Sequence, residues 1–277
     1  MLVLLLLLSP AHAQNPKALC AEGRWTECLR ALEGRPDTAE TLHLRGTAQA
    51  ELGQVREAEA SFRAALDRRR GQAATSQNLA LLLARQKRFD EGVGVLEEAL
   101  RKAPDSSDLL RSLGILQQNA GRSKDAVATF QKLSRLVPEG AEPYALLGNS
   151  YVEAGEYSLA LEALKKAIQR DPREPRIHFL LGLSHAYLGA FDLSQKHLRE
   201  AVALDPKMCP GYFQMGKNES DLGRMEAAIE WSQKAAACDP GYAQPHYQLS
   251  RIYSRMGRPE RSQEEMMRFL QLRMKRQ

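Results

Sequence analysis

Residues 141–174 read AEPYALLGNSYVEAGEYSLALEALKKAIQRDPRE, and residues 175–208 read PRIHFLLGLSHAYLGAFDLSQKHLREAVALDPKM. Set one above the other, they share a skeleton: Leu147-Gly148 over Leu181-Gly182, Gly155 over Gly189, Ala160 over Ser194, Pro172 over Pro206. Carrying the same 34-residue ruler outward recovers the pattern along most of the chain. The first small residue recurs at Gly46, Ala80, Gly114, Gly148, Gly182, Gly216 and Ser250. A turn glycine follows at Gly53, Gly121, Gly155, Gly189, Gly223 and Gly257. A second small residue comes at Ala58, Gly92, Ala126, Ala160, Ser194, Ala228 and Ser262. Copies close on Pro104, Pro138, Pro172, Pro206 and Pro240, with Arg70 in that place in the first. Seven copies run without insertion over 39–276, dividing at 39–72, 73–106, 107–140, 141–174, 175–208, 209–242 and 243–276.

The columns predict two helices per copy, each of about 12–14 residues once two turns are subtracted. Ala, Leu, Glu, Arg and Gln dominate the repeats and favour helix, and no alternating β-branched run argues for a sheet. The small residues let the paired helices approach closely. The glycine between them takes a turn that a side chain obstructs, and proline ends the second helix. One such pair cannot bury its own apolar face, so copies stack into an all-α, right-handed superhelical solenoid with a concave groove. Residues 14–38 carry an out-of-register echo of the pattern (Leu19, Gly23, Trp25, Cys28, Leu32) and read as a divergent N-terminal cap or half repeat.

The period, the pairing of Gly with a later Ala, and the terminal Pro resemble the tetratricopeptide repeat (TPR) family. The resemblance implies a non-catalytic scaffold that binds proteins or peptides, with the first helix of each pair lining the groove. Family members that grip a terminal carboxylate use an Asn and Lys pair one turn apart; here Asn149 is preceded by Ala145, so that mode is not expected.

Met1 to Ala13 (MLVLLLLLSPAHA) has a short apolar core and a small-x-small end at Ala11 and Ala13, which reads as a signal peptide over 1–13. It is too short to span a bilayer. The expected location is periplasmic or secreted, or cytoplasmic if that segment is not a working signal. Four cysteines fit an exported chain. Cys209 opens the first helix of its copy and Cys238 closes the second, ends that meet in an antiparallel pair. Cys20 and Cys28 flank the turn of the cap in the same way. Both pairs are disulfide candidates.

The net charge of +5 resides entirely in residues 243–277, where eight basic residues face three acidic ones. A neutral body with a basic end argues against nucleic acid as the general partner. No phosphate loop, nucleophile elbow or zinc-binding spacing is present, so neither catalysis nor a cofactor is expected. His178 and His185 share a helix face, but in other copies those columns hold Leu110, Tyr144, Tyr151, Tyr212 and Tyr253, so packing is expected rather than metal binding. Asn218-Glu219-Ser220 matches a glycosylation acceptor but falls inside a helix.

The groove columns carry the functional expectation. Phe179, Phe213 and Tyr247 recur at 34-residue spacing, where earlier copies have His43, Gln77, Arg111 and Ala145. Lys217 and Arg251 lie one turn further along, then Tyr187 and Arg255. Aromatics and arginine most often carry interface energy. The expected ligand is an extended peptide with apolar side chains and acidic groups. The alternative is a polymer, glycan or nucleic acid, held by the basic C-terminal end.

Overall fold

The structure is a computed structural model and describes residues 15–275. The expected leader at 1–13 lies outside the described residues, as do Gln14 and Arg276. Every regular element among the described residues is a helix, and they fall into two units divided between Leu136 and Val137.

The first unit holds α1 (Pro16–Ala21), α2 (Trp25–Leu32), α3 (Ala39–Glu51), α4 (Val55–Arg68), α5 (Ala73–Arg85), α6 (Phe89–Lys102), α7 (Ser107–Asn119) and α8 (Ser123–Leu136). The second holds α9 (Ala141–Glu153), α10 (Tyr157–Arg170), α11 (Pro175–Tyr187), α12 (Phe191–Leu204), α13 (Cys209–Asp221), α14 (Met225–Cys238), α15 (Gln244–Arg255) and α16 (Pro259–Met274). Odd helices pack on the even helix that follows, and each even helix packs on the next odd one within its unit. First helices also touch each other directly, as α1 with α3, α3 with α5 and α5 with α7, and again from α9 to α15. Each unit thus presents one row of first helices.

The periodic columns account for this packing. The turn glycines all have φ near +70°, the left-handed region that an L side chain resists. The second copy has Lys87 in that column, and it takes the same turn at φ 61°. Threonine and serine cap α3 and α7: the Thr38 side chain accepts from the Thr41 amide, and Ser106 from Leu109. Proline stands in the first turn of α11, α13, α15 and α16, where no amide hydrogen is needed.

The first small residue is where a first helix meets the largest buried side chain of its partner. A Cβ at Gly46 would stand 2.7 Å from the Phe62 ring, one at Gly148 2.6 Å from Leu164, and one at Gly182 2.7 Å from Leu198. The second copy inverts the arrangement. Ala80 holds the first place and Gly92 the second, and a Cβ on Gly92 would meet Leu116 at 2.7 Å and the Ala80 carbonyl at 3.3 Å. One methyl group has moved from one helix to the other. The cap packs Leu19, Cys20, Cys28, Ala31 and Leu32 against Ala48 of α3. On the outer surface, carboxylates pair with arginines, as in Arg88 to Glu59 at 2.6 Å and Arg63 to Glu59 at 2.8 Å. The arginine contacts hold the Glu59 carboxyl below its ordinary range, Arg88 most of all.

Candidate ligand-binding faces on the first helices

In the second unit, Tyr187 closes α11 and is 53% exposed. Its ring stacks flat on Tyr157 of α10, with centroids 4.4 Å apart and planes 5° from parallel. The Lys217 ammonium of α13 stands 5.2 Å from the same ring centroid. Three helices therefore build an aromatic platform with a cation on it, a geometry in which ring quadrupole and charge attract. Burial, and then Tyr187, pushes the Tyr157 phenol up.

Further along, Tyr247 of α15 is exposed and leans on Phe269 of α16 at 5.2 Å. The Arg251 guanidinium lies 6.0 Å from the Tyr247 centroid. Arg255 donates from Nη1 to the Ser220 hydroxyl at 3.3 Å, linking α15 to the end of α13. The other two aromatic positions are half-buried. Phe179 packs on the cluster built from Leu164, Ile177 and Leu181. Phe213 meets Tyr242 edge to face at 5.6 Å. So Phe179, Phe213 and Tyr247 each find a different neighbour; Phe179, Phe213 and Lys217 are half-buried, and Tyr187, Tyr247, Arg251 and Arg255 are exposed.

The first unit has a face of another kind. A cavity of about 260 Å³ opens between α5 and α7, lined by Ala80, Leu81, Ala84, Ile115 and Leu116 with Gln77, Asn78, Ser112 and Asn119. Leu81 is 54% exposed at its mouth. The Gln77 amide donates to Ser112 Oγ at 3.0 Å and to the Asp108 carbonyl at 3.1 Å. An apolar slot rimmed by amides suits an extended chain that inserts a side chain and offers backbone hydrogen bonds.

The histidines sit apart from both faces. His178 is buried, its Nε2 2.9 Å from the Pro172 carbonyl and its Nδ1 3.4 Å from Nδ1 of His197 on α12. His185 stacks on the other side of His197. Burial, then His178, His185 and Lys196, lowers His197 to about 4, and burial lowers His185 as well. Among the described residues no group of three or more His, Cys, Asp or Glu is placed to hold a metal ion. Cys20 is bonded to Cys28 and Cys209 to Cys238, each pair with Cα atoms 5.5 Å apart. Asn218 is wholly buried and donates to Ser194 Oγ at 2.7 Å, which leaves no room for a glycan. No helix among the described residues is long and apolar enough to cross a membrane.

Repeat models described as tetratricopeptide repeats match residues 43–107, 83–149, 175–208, 210–242 and 243–273, and a TPR repeat model matches 148–189. These are tetratricopeptide repeats. TPR arrays are interaction scaffolds and generally not catalysts. Among solved structures, a TPR protein from Parabacteroides merdae is 18% identical over 84% of this chain and 93% of its own, with a TM-score of 0.72. MamA is 21% identical over 59% of this chain and 96% of its own, with a TM-score of 0.53. YrrB, described as a TPR protein with an unusual peptide-binding site, is 21% identical over 66% of this chain and 95% of its own, at 0.52. At these identities the likeness is one of fold. No curated protein sequence matches the chain.

Three features of this TPR array escaped sequence reasoning. Tyr157 and Phe269 lie on second helices, outside the groove columns, yet each supports an exposed tyrosine. The α5–α7 slot depends on Leu81 and Ile115, whose shared column holds Asn149, Leu183, Lys217 and Arg251 in later copies. His197 completes a histidine cluster from the helix opposite. An exposed leucine at a first-helix position was the one signal available for the slot.

Proposed function

We propose that this chain is an exported, non-catalytic TPR scaffold that binds an extended peptide along its first helices. The reading divides it into a leader at 1–13, a cap at 14–38 and seven repeats over 39–276. The observation that carries it is the Tyr157–Tyr187–Lys217 platform, an exposed aromatic surface beside a cation, with Tyr247, Arg251 and Arg255 on the same row of first helices. Apolar side chains of the ligand lie on the rings, and its acidic groups are oriented by the cations. In the first unit, the amide-rimmed slot between α5 and α7 offers an uncharged site of its own. The peptide-binding description of YrrB supports this use of the fold, and two disulfides suit an oxidising compartment.

The test is a pull-down with the chain from Gln14, beside a Tyr187→Ala/Lys217→Ala/Tyr247→Ala variant whose circular dichroism matches the parent. Partners lost with the variant support the reading, and partners retained by it refute it. A salt titration of the captured complex separates the alternative. A polymer held by the exposed arginines of 251–273 dissociates with a steep logarithmic salt slope, whereas a peptide seated on the rings tolerates salt.

A further inference from the structure

The last helix, α16, differs from the six second helices before it. It has 16 residues where α4, α6, α8, α10, α12 and α14 have 14, and no residue of it is buried. Its inner side is occupied: Ser262 bonds Ser250, Glu265 meets His246 at 2.6 Å, and Phe269 meets Tyr247. Its outer side carries Met267, Leu270 and Met274, exposed to 56%, 50% and 68%. At about 100° per residue these three share one face.

That face is more apolar than an interrupted repeat requires. Leu270 stands in the column of Leu66, Leu100, Ile168 and Val202, which pack towards the next copy in the earlier repeats. Met267 is different. Its column reads Arg63, Glu97, Gln131, Lys165, Arg199 and Gln233, polar every time. Met274 replaces the proline that closes five earlier copies, and the helix extends to it. In the first copy the same columns, as Arg63, Leu66 and Arg70, line a cavity with Ser76 and Glu91 of the following copy. So the outer face of α16 corresponds to the face that meets the following repeat in the first copy, and its two departures from the column pattern both add apolar surface.

The charges say which helix. Glu260 and Glu264 lie on one flank of the apolar face near the start of α16, and Lys275 lies on the same flank at its end; all three are exposed. We propose that the outer face of α16 pairs with α16 of a second copy of this chain, antiparallel about a two-fold axis. With Met267 set against Leu270 of the second copy, Lys275 of that copy falls between Glu260 and Glu264 of the first, and the symmetric contact repeats the pairing. The two helix dipoles also oppose. A parallel pairing instead sets this flank against the opposite flank, which carries Gln263 and Met266, so the match of Lys275 to Glu260 and Glu264 is lost. One helix about 24 Å long makes a contact smaller than a standard interface, and the dimer is expected at a Kd of about 10–100 μM.

The experiment is sedimentation equilibrium of the purified protein from about 1 to about 300 μM at low ionic strength. A monomer–dimer equilibrium is expected. Met267→Glu/Leu270→Glu weakens it by more than about tenfold, with circular dichroism unchanged because neither side chain is buried. Lys275→Glu alone, and Glu260→Lys/Glu264→Lys alone, also weaken it. The triple variant with all three charges exchanged restores it. A monomer at every concentration overturns the proposal. So does a dimer that survives Met267→Glu/Leu270→Glu, or a charge-exchanged triple variant that stays monomeric.

Discussion

Gly148→Ala puts the small-residue packing to a quantitative test. The added Cβ stands 2.6 Å from both Cγ and Cδ2 of Leu164. Ordinary carbon contact needs about 3.5–4.0 Å, so the two helices must separate or Leu164 must move by about 1 Å. Leu164 is fully buried and its Cγ is not a free end, so it cannot swing into solvent. Overpacking of this kind costs about 1–3 kcal/mol. Replacing a mid-helix glycine returns up to about 1 kcal/mol of backbone entropy. The net expectation is a loss of about 1–2 kcal/mol, read as a lower urea midpoint by far-ultraviolet circular dichroism, or as a fall in Tm of roughly 2–8 °C. Gly94 provides the control, because it lies inside α6 and a Cβ added there would have nothing within 4 Å. Gly94→Ala carries the same entropy gain without the clash and is expected to stabilise by up to about 1 kcal/mol. The second copy supplies the rescue, since it runs Ala80, Gly92 and Leu96 where the fourth runs Gly148, Ala160 and Leu164. Adding Ala160→Gly to Gly148→Ala recreates that trio, and the double variant is expected to lose at least about 1 kcal/mol less than the two single losses combined. A Gly148→Ala protein as stable as Gly94→Ala, or strict additivity in the cycle, would falsify the close-approach argument.

Removing the Cys209–Cys238 bond by Cys→Ser at both positions frees a 29-residue separation, which chain entropy values at about 3.6 kcal/mol; the 8-residue separation of Cys20–Cys28 gives about 2.5 kcal/mol. Urea denaturation with and without reductant should show the larger loss for the Cys209–Cys238 pair, and the reverse order would refute the ranking. His197 is held neutral by the fold, at about 4 against an ordinary 6.5, so its contribution is complete above pH 6.5 and is lost as the pH falls towards 4. Discounted for its partial exposure, that is worth about 1–2 kcal/mol; His197→Gln should flatten the Tm profile between pH 6.5 and 4, and an unchanged profile would remove the histidine cluster as its cause. Lys87→Gly relieves the one non-glycine residue with positive φ among the described residues and is expected to raise stability by up to about 1 kcal/mol, measured by the same urea midpoint.

The repeat period was legible because each column answers to one steric demand that recurs every 34 residues. Gly148 and Gly182 show it, each facing a leucine sixteen residues later. The Pro columns and turn glycines likewise placed the helices. Lys87 broke the turn column in letters but not in shape, since the backbone around it is fixed by both helices. The candidate face was harder to read. The groove columns named Tyr187 and Lys217 but could not say that Tyr157 lies beneath, because support comes from a different helix with its own register. Phe179 and Phe213 look equivalent to Tyr247 along the sequence. The structure separates them because Leu164, Ile177 and Tyr242 stand close enough to cover two of the rings in part, while Tyr247 stays exposed.

One joint in the second unit bears on how such an array can evolve. Asn218 donates to Ser194 Oγ, Ser194 donates to the Gly182 carbonyl at 2.6 Å, and the Gln195 amide donates to buried Glu219 at 2.5 Å. The bonds to Asn218 and Glu219 cross from one repeat to the next, and the corresponding residues elsewhere differ: the fourth copy has Ala160 and Leu161 where the fifth has Ser194 and Gln195. A fifth repeat replaced by the fourth would keep the column glycine and its facing leucine in register, yet leave the Asn218 amide nitrogen without its acceptor and take from the Glu219 carboxylate one of its two partners, the other being Arg224. Stranding a buried polar group costs about 1–3 kcal/mol and a charged one more. Repeats that look interchangeable by period are therefore ordered by their buried polar atoms. The joint between repeats 175–208 and 209–242 carries a cost on exchange that an apolar joint does not.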